Sequence, residues 1–254
     1  MTTTDVHAAW ARLGGGLSVP PAARRVDLED LIVRTLGKAR DDARLFWVAA
    51  GWLAVHHNLL NARRLAGMLR GRPDVEIAVA GALFSVARQA AGTATSLASV
   101  IKHCRPTQPL RPLFSVVESN PVLTHKAKAG TLPIFARWGF WQDDVSLRLD
   151  AVRPVRGVLA RCPELRLRAL LGATLEAEIV GFLAVLPASV DDLSTILDVT
   201  YAAGHAAAGQ LVARGFLTRT KEGRRQVLAL RPAWKEWLEA APFAAPAPKA
   251  AAVG

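Results

Sequence analysis

Apolar side chains return at helical spacing along most of this chain, in runs too short to cross a membrane. Leu28, Leu31, Ile32, Thr35 and Leu36 fall at i, i+3, i+4, i+7 and i+8, with Asp27 placed to cap them. Phe46, Ala49, Trp52, Leu53, His56, Leu59 and Leu60 form a second face, and Leu65, Met68 and Leu69 a third that stops at Gly71 and Pro73. Val75 to Ile101 reads as one long helix or two shorter ones broken near Gly92-Thr93. The longest apolar windows, Ile77 to Ala87 and Leu45 to Val55, run to 11 residues, against the roughly 18 of a spanning helix. Between Arg105 and Pro133 five prolines cut the chain into turns and short helices, and VSLRLD beyond them alternates like a brief strand. The expected fold class is mainly α, and no membrane partner is expected.

With 51% hydrophobic and 21% charged residues, global disorder is excluded. Two cysteines, Cys104 and Cys162, build no disulfide scaffold, and no export signal is read at the start, so a bacterial-type cytoplasmic protein is expected. Four stretches follow from the punctuation: a flexible N-terminal segment over 1–26, broken by Gly14-Gly15-Gly16 and Pro20-Pro21, though Trp10 and Leu13 are able to dock; an irregular helical domain over 27–163; a second domain over 164–240; and a disordered Ala/Pro tail over 241–254.

The net charge of +11 favours an acidic partner, nucleic acid first. Residues 1–164 hold 22 Lys+Arg against 13 Asp+Glu, a diffuse excess that an Arg-rich proteome explains. Tyr201 to Arg231 holds six basic residues against Glu222 alone, and that cluster calls for a more specific reason.

The second domain is the better punctuated. Leu167, Leu171, Leu175, Ile179, Phe182, Leu183 and Leu186 predict one helix of about twenty residues stopped by Pro187. Ser189 caps a short helix with Asp191 and Asp192 in its first turn, and Leu193, Ile196 and Leu197 supply its apolar side. A tight turn at Asp198-Val199 leads to Thr200, a second N-cap, and a helix from Tyr201 to about Arg214 that ends at Gly215. Phe216–Thr220 and Arg225–Arg231 then alternate as two strands around Lys221-Glu-Gly-Arg. Phe182, Leu193, Ile196, Leu211 and Leu228 are expected to share one core.

Helix, short helix, tight turn, helix and hairpin: this order resembles the winged helix-turn-helix domain of bacterial transcription regulators. The residues that carry the resemblance are Ser189-Val-Asp-Asp-Leu-Ser, Asp198-Val-Thr, Leu211-Val-Ala-Arg-Gly-Phe-Leu and Thr218-Arg-Thr-Lys-Glu-Gly-Arg-Arg, about 70 of the 254 residues. The resemblance implies double-stranded DNA as the partner, with a recognition helix in the major groove and a basic wing along phosphates. By position, Thr200 and Tyr201 open the recognition helix, His205 lies on its outward face, and Arg219, Lys221, Arg224 and Arg225 form the wing. The helix itself reads YAAGHAAAGQLVAR, with no Arg or Asn in its first half for a bidentate base contact. Phosphate contacts are therefore expected to dominate. The helical N-terminal domain is expected to supply dimerisation, effector binding or a protein contact. The alternatives are a winged helix that docks another protein, and an enzyme with an unrecognised helical catalytic domain.

No catalytic residue, metal ligand or cofactor is assigned. His56 and His57 point about 100° apart on a helix and so do not converge on one ion. Asp143-Asp144 reads as a solvated turn and Cys104 as an inert thiol. Gly14-Gly15-Gly16 lacks the Lys-Ser/Thr of a phosphate loop, and Trp47, Trp52, Trp138 and Trp141 read as core. The arginines between Arg148 and Arg168 read as a solvated connecting face.

Overall fold

Thr2 and Asp5 form a capping box: the Thr2 hydroxyl accepts from the Asp5 amide, and the Asp5 carboxylate accepts from the Thr2 amide at 2.6 Å. In the computed structural model, which describes residues 2–92, 94–223 and 225–239, the helix they start (α1, Thr3–Arg12) is tied down. Val6, Ala9, Trp10 and Leu13 recur at i, i+3, i+4 and i+7 and are all buried. The Trp10 ring N–H donates to Thr35 Oγ1 at 2.8 Å, and the Leu13 carbonyl accepts from the Trp52 ring N–H at 2.8 Å. The expected flexible segment over 1–26 is thus corrected: its first half is a helix with an apolar stripe, and only the Gly/Pro stretch after it is irregular. The 241–254 tail lies outside the described residues.

The chain is mainly helical and divides into two units between Val158 and Leu159, a few residues before the boundary expected at Glu164. In the first unit α1 is followed by α2 (Leu28–Leu36), α3 (Ala43–His56), α4 (Ala62–Leu69), α5 (Asp74–Ala91) and α6 (Thr95–Ile101). Asp27, Asp42 and Asn61 cap α2, α3 and α4 through their side chains. The centre is α3 against α5, each apolar nearly all round as a helix enclosed by others must be. The break between α5 and α6 falls at Gly92, as the sequence predicts. Trp138 lies against Gly81 of α5, where a β-carbon would come within 2.3 Å of its ring, and its ring N–H donates to Ser85 Oγ at 3.0 Å. Buried Glu29 accepts from the Asn61 amide at 2.9 Å and pairs with Arg64 at 3.0 Å, so its charge is both paired and hydrogen-bonded.

The proline-rich stretch forms short pieces: β1 (Arg111–Pro112), α7 (Ser115–Glu118), α8 (Pro121–Ala129), α9 (Pro133–Ala136) and β2 (Phe140–Trp141). β1 and β2 pair in parallel, and Val145–Asp150, whose alternation is too brief to decide for a strand, forms none. Helix α10 (Val155–Arg161) carries the chain across the boundary.

The second unit runs α11 (Arg166–Leu171), α12 (Leu175–Leu183), β3 (Ala188–Ser189), α13 (Val190–Ile196), α14 (Tyr201–Ala213), β4 (Leu217–Glu222), β5 (Arg225–Leu230) and α15 (Pro232–Glu239). The single helix predicted through Leu186 is two, because Gly172 takes φ 78° and ψ 167° and Thr174 starts α12 afresh. The hairpin gains a third, edge strand: β3 pairs antiparallel with β5, giving the order β3-β5-β4. Leu193, Leu211 and Leu228 share the core with Ile179 and Val180, and Phe182 packs on it partly buried. Ile196 does not join; it is 56% exposed. The buried side of α13 is Val190, Leu193, Ser194 and Leu197, and Ile196 falls on its flank. Trp234 of α15 closes the unit, stacking on Phe216 with centroids 4.3 Å apart and donating to the Gly215 carbonyl at 3.2 Å.

Candidate nucleic-acid interface

Two helices joined by a sharp turn need a residue that reverses the chain at once. Asp198 does so at φ 51°, a left-handed conformation that Asp tolerates better than most residues. The turn is closed by the Val199 amide donating to the Ser194 carbonyl at 3.0 Å. On its near side, Ser189 and Asp192 form a capping box that starts α13. Hydrogen bonds from Ser189 hold the Asp192 carboxyl below its ordinary pKa, with the charge of Arg225 adding to the effect. On its far side the Thr200 hydroxyl accepts from the Ala203 amide at 3.3 Å and starts α14.

Gly204 sets how closely α14 lies on α13. A β-carbon there would meet Ser194 Oγ at 2.6 Å. This glycine therefore has a packing role that its poor helix propensity hides. Gly204, Ala207, Ala208 and Leu211 face inward, and Tyr201, Ala202, His205, Ala206 and Gln210 face solvent. Tyr201 is 55% exposed and stacks on His205 one turn later, with centroids 5.8 Å apart and planes 25° from parallel. The outward face is thus one aromatic pair beside two alanines, with Gln210 one turn further on.

The hairpin register distributes the basic residues. Arg219 is opposite Leu228 and Lys221 opposite Gln226, so both share the sheet face that carries Leu217 and Leu230 at its base. Arg225 is opposite Glu222 and belongs to the other face. The hairpin is therefore basic on both sides, with Arg219 and Lys221 together and Arg225 apart, within reach of the Asp192 charge. All three are exposed, and none makes an ion pair among the described residues. Arg224 lies outside the described residues. Gln210, Arg214 and Arg231 are also exposed; the two arginines count in the basic cluster of the sequence but were not assigned to the interface, and Gln210 was not singled out. Gln210 and Arg214 fall at i+4 and i+8 from Ala206, and that helical spacing was the available signal for the first two.

The other candidates are structural. His56 is buried against Trp52, and its Nε2–H donates to the Arg153 carbonyl at 2.8 Å; burial pushes its pKa down. His57 faces Ser96 instead. Burial pushes the Cys104 thiol up to about 12, which leaves no thiolate at neutral pH. Asp143 pairs with Lys126 at 3.5 Å while Asp144 is exposed. Trp52 and Trp138 are core, and Trp47 and Trp141 are partly buried. Arg166 leaves the expected solvated face: it is buried and donates to the carbonyls of Leu159 and Leu238. No group of three His, Cys, Asp or Glu able to hold a metal occurs among the described residues.

No family model, curated protein or solved structure matches the chain.

Proposed function

We propose that this chain is a DNA-binding protein, a transcription regulator whose C-terminal unit is a winged helix-turn-helix. The observation that carries the reading is the order α13, Asp198 turn, α14, hairpin, with an exposed α14 face followed at once by strands that expose Arg219, Lys221 and Arg225. In this reading α14 lies in the major groove with Thr200, Tyr201 and His205 leading, and the wing follows the phosphates. An alanine-lined face admits close approach to a groove but offers few base contacts, so affinity comes mainly from charge and sequence preference is shallow. The N-terminal unit supplies dimerisation, effector binding or contact with a protein partner. The test is a mobility-shift titration of the full chain on unrelated duplexes at two salt concentrations. Binding to all of them at low salt, weakened sharply at high salt, is the expected result. No shift at low salt contradicts it.

One observation favours a second reading, docking of a protein. Ile196 and Tyr201 are both more than half exposed on adjoining helices, and large exposed apolar side chains suit a protein surface better than a phosphate backbone. Under that reading Ile196→Ser abolishes capture of the partner and leaves DNA affinity, if any, unchanged.

A further inference from the structure

In the first unit, α5 is apolar along most of its length but ends on a polar stripe. Ser85, Arg88 and Gln89 fall at i, i+3 and i+4 and so share one face. That face forms one wall of a cavity of about 440 Å³, with Ile134 and Arg137 from α9 and its C-cap on another side and Ile101 of α6 beside them. The volume lies in the range of small-molecule sites. Neither Arg88 nor Arg137 makes an ion pair among the described residues, so two guanidiniums meet one cavity without a carboxylate to neutralise them.

The cavity is also organised from beneath. Buried Trp138 donates to Ser85 Oγ at 3.0 Å, and the Arg137 guanidinium lies 5.0 Å from the centroid of the same indole. One ring thus positions a hydroxyl and a cation that both line the space. Because Ser85 accepts from Trp138, its own O–H remains to donate into the cavity. The C-terminal end of α5 opposes an anion with about half a charge, which two full charges outweigh. We infer that this cavity binds a small organic anion, a carboxylate or phosphate ester, with its charged group between Arg88 and Arg137, Ser85 and Gln89 donating hydrogen bonds, and a flat apolar body on Ile101 and Ile134. The inference stands independently of DNA binding.

The test uses the full chain and phenyl phosphate as probe, followed by calorimetry, with phenol and inorganic phosphate as comparisons. Saturable binding of phenyl phosphate is expected, weaker binding of inorganic phosphate, and none of phenol. Arg88→Gln and Arg137→Gln each weaken phenyl phosphate roughly tenfold or more, as loss of a charge-assisted pair does. Both arginines are exposed, so Arg88→Gln keeps the wild-type unfolding midpoint, and Arg137→Gln, which loses only its contact with the Trp138 ring, stays folded under the titration conditions. Arg63→Gln, an exposed arginine on α4, leaves affinity unchanged. No saturable binding, equal loss in Arg63→Gln, or wild-type affinity in both Arg88→Gln and Arg137→Gln overturns the proposal. Inorganic phosphate binding as tightly as phenyl phosphate overturns the assigned ligand class.

Discussion

Three glycines in and after α14 sit in one stretch of sequence for three different reasons, and each makes its own prediction. Gly204→Ala places a methyl 2.6 Å from Ser194 Oγ, in a buried contact between α13 and α14. It is expected to cost about 1–3 kcal/mol by overpacking. Ser194 Oγ is buried without a hydrogen-bond partner, so Ser194→Ala removes the obstacle at little cost and the double variant recovers most of the loss, as a denaturant-midpoint cycle would show. Gly209 meets nothing within 4 Å, so Gly209→Ala stabilises by roughly 1 kcal/mol through helix propensity alone. Gly215 also meets nothing within 4 Å, but its φ is 77°. Gly215→Ala therefore loses about 1 kcal/mol through the backbone. His56 adds a pH dependence. Its pKa is lowered in the folded chain from an ordinary value near 6.5, so the unfolded chain takes up the proton first as pH falls. Its contribution is fully present above about pH 6.5 and is lost as pH drops toward the folded value. In His56→Gln, which keeps an N–H for the Arg153 carbonyl, the fall of the urea midpoint between pH 7 and pH 5 becomes shallower. An equally steep fall would contradict the assignment.

At the scale of elements, α1 gives the sharpest test. A tail would tolerate Trp10→Ala; a docked helix whose Trp10 is fully buried loses about 3–5 kcal/mol, read as a drop in unfolding midpoint. Leu211→Ala in the second unit is expected to cost about 2–5 kcal/mol on the same grounds. Where local chemistry decides an element, the sequence was a good guide: Ser189, Thr200, Asp198 and Gly215 mark starts, a turn and a stop that the structure keeps. Of the candidate site, cap, helix and hairpin spacing in the sequence located the positions, and the structure exposes Thr200, Tyr201, His205, Arg219, Lys221 and Arg225, with Arg224 outside the described residues. Tertiary context decided the rest. The α1 capping box and its Val6, Ala9, Trp10, Leu13 stripe were present, but the glycines and prolines after them obscured them. An unbroken apolar pattern from Leu167 to Leu186 did not reveal that Gly172 would leave the helical region. The period of α13 allowed Ile196 inside, whereas in the structure Ser194 is the residue packed against Gly204. β3 is two residues long and shows no period at all.

For the whole molecule, the net charge of +11 draws any polyanion, so attraction alone identifies nothing. What the proposed function requires is that a small set of exposed wing cations carries the affinity. None of the three makes an ion pair among the described residues, but Arg219 and Lys221 lie together on one face of the hairpin while Arg225 is alone on the other, where the nearby charge of Asp192 opposes a phosphate. The first two are therefore expected to make the larger phosphate contribution. The direct test is the salt dependence of duplex binding, followed by fluorescence anisotropy, for the full chain and for the Arg219→Ala/Lys221→Ala variant. Each neutralised phosphate contributes about −0.9 to the log–log slope, so the variant is expected to bind all sequences more weakly with a slope shallower by about 2. Unchanged affinity and slope in that variant, or no binding of the wild-type chain at low salt, would contradict DNA binding through the wing.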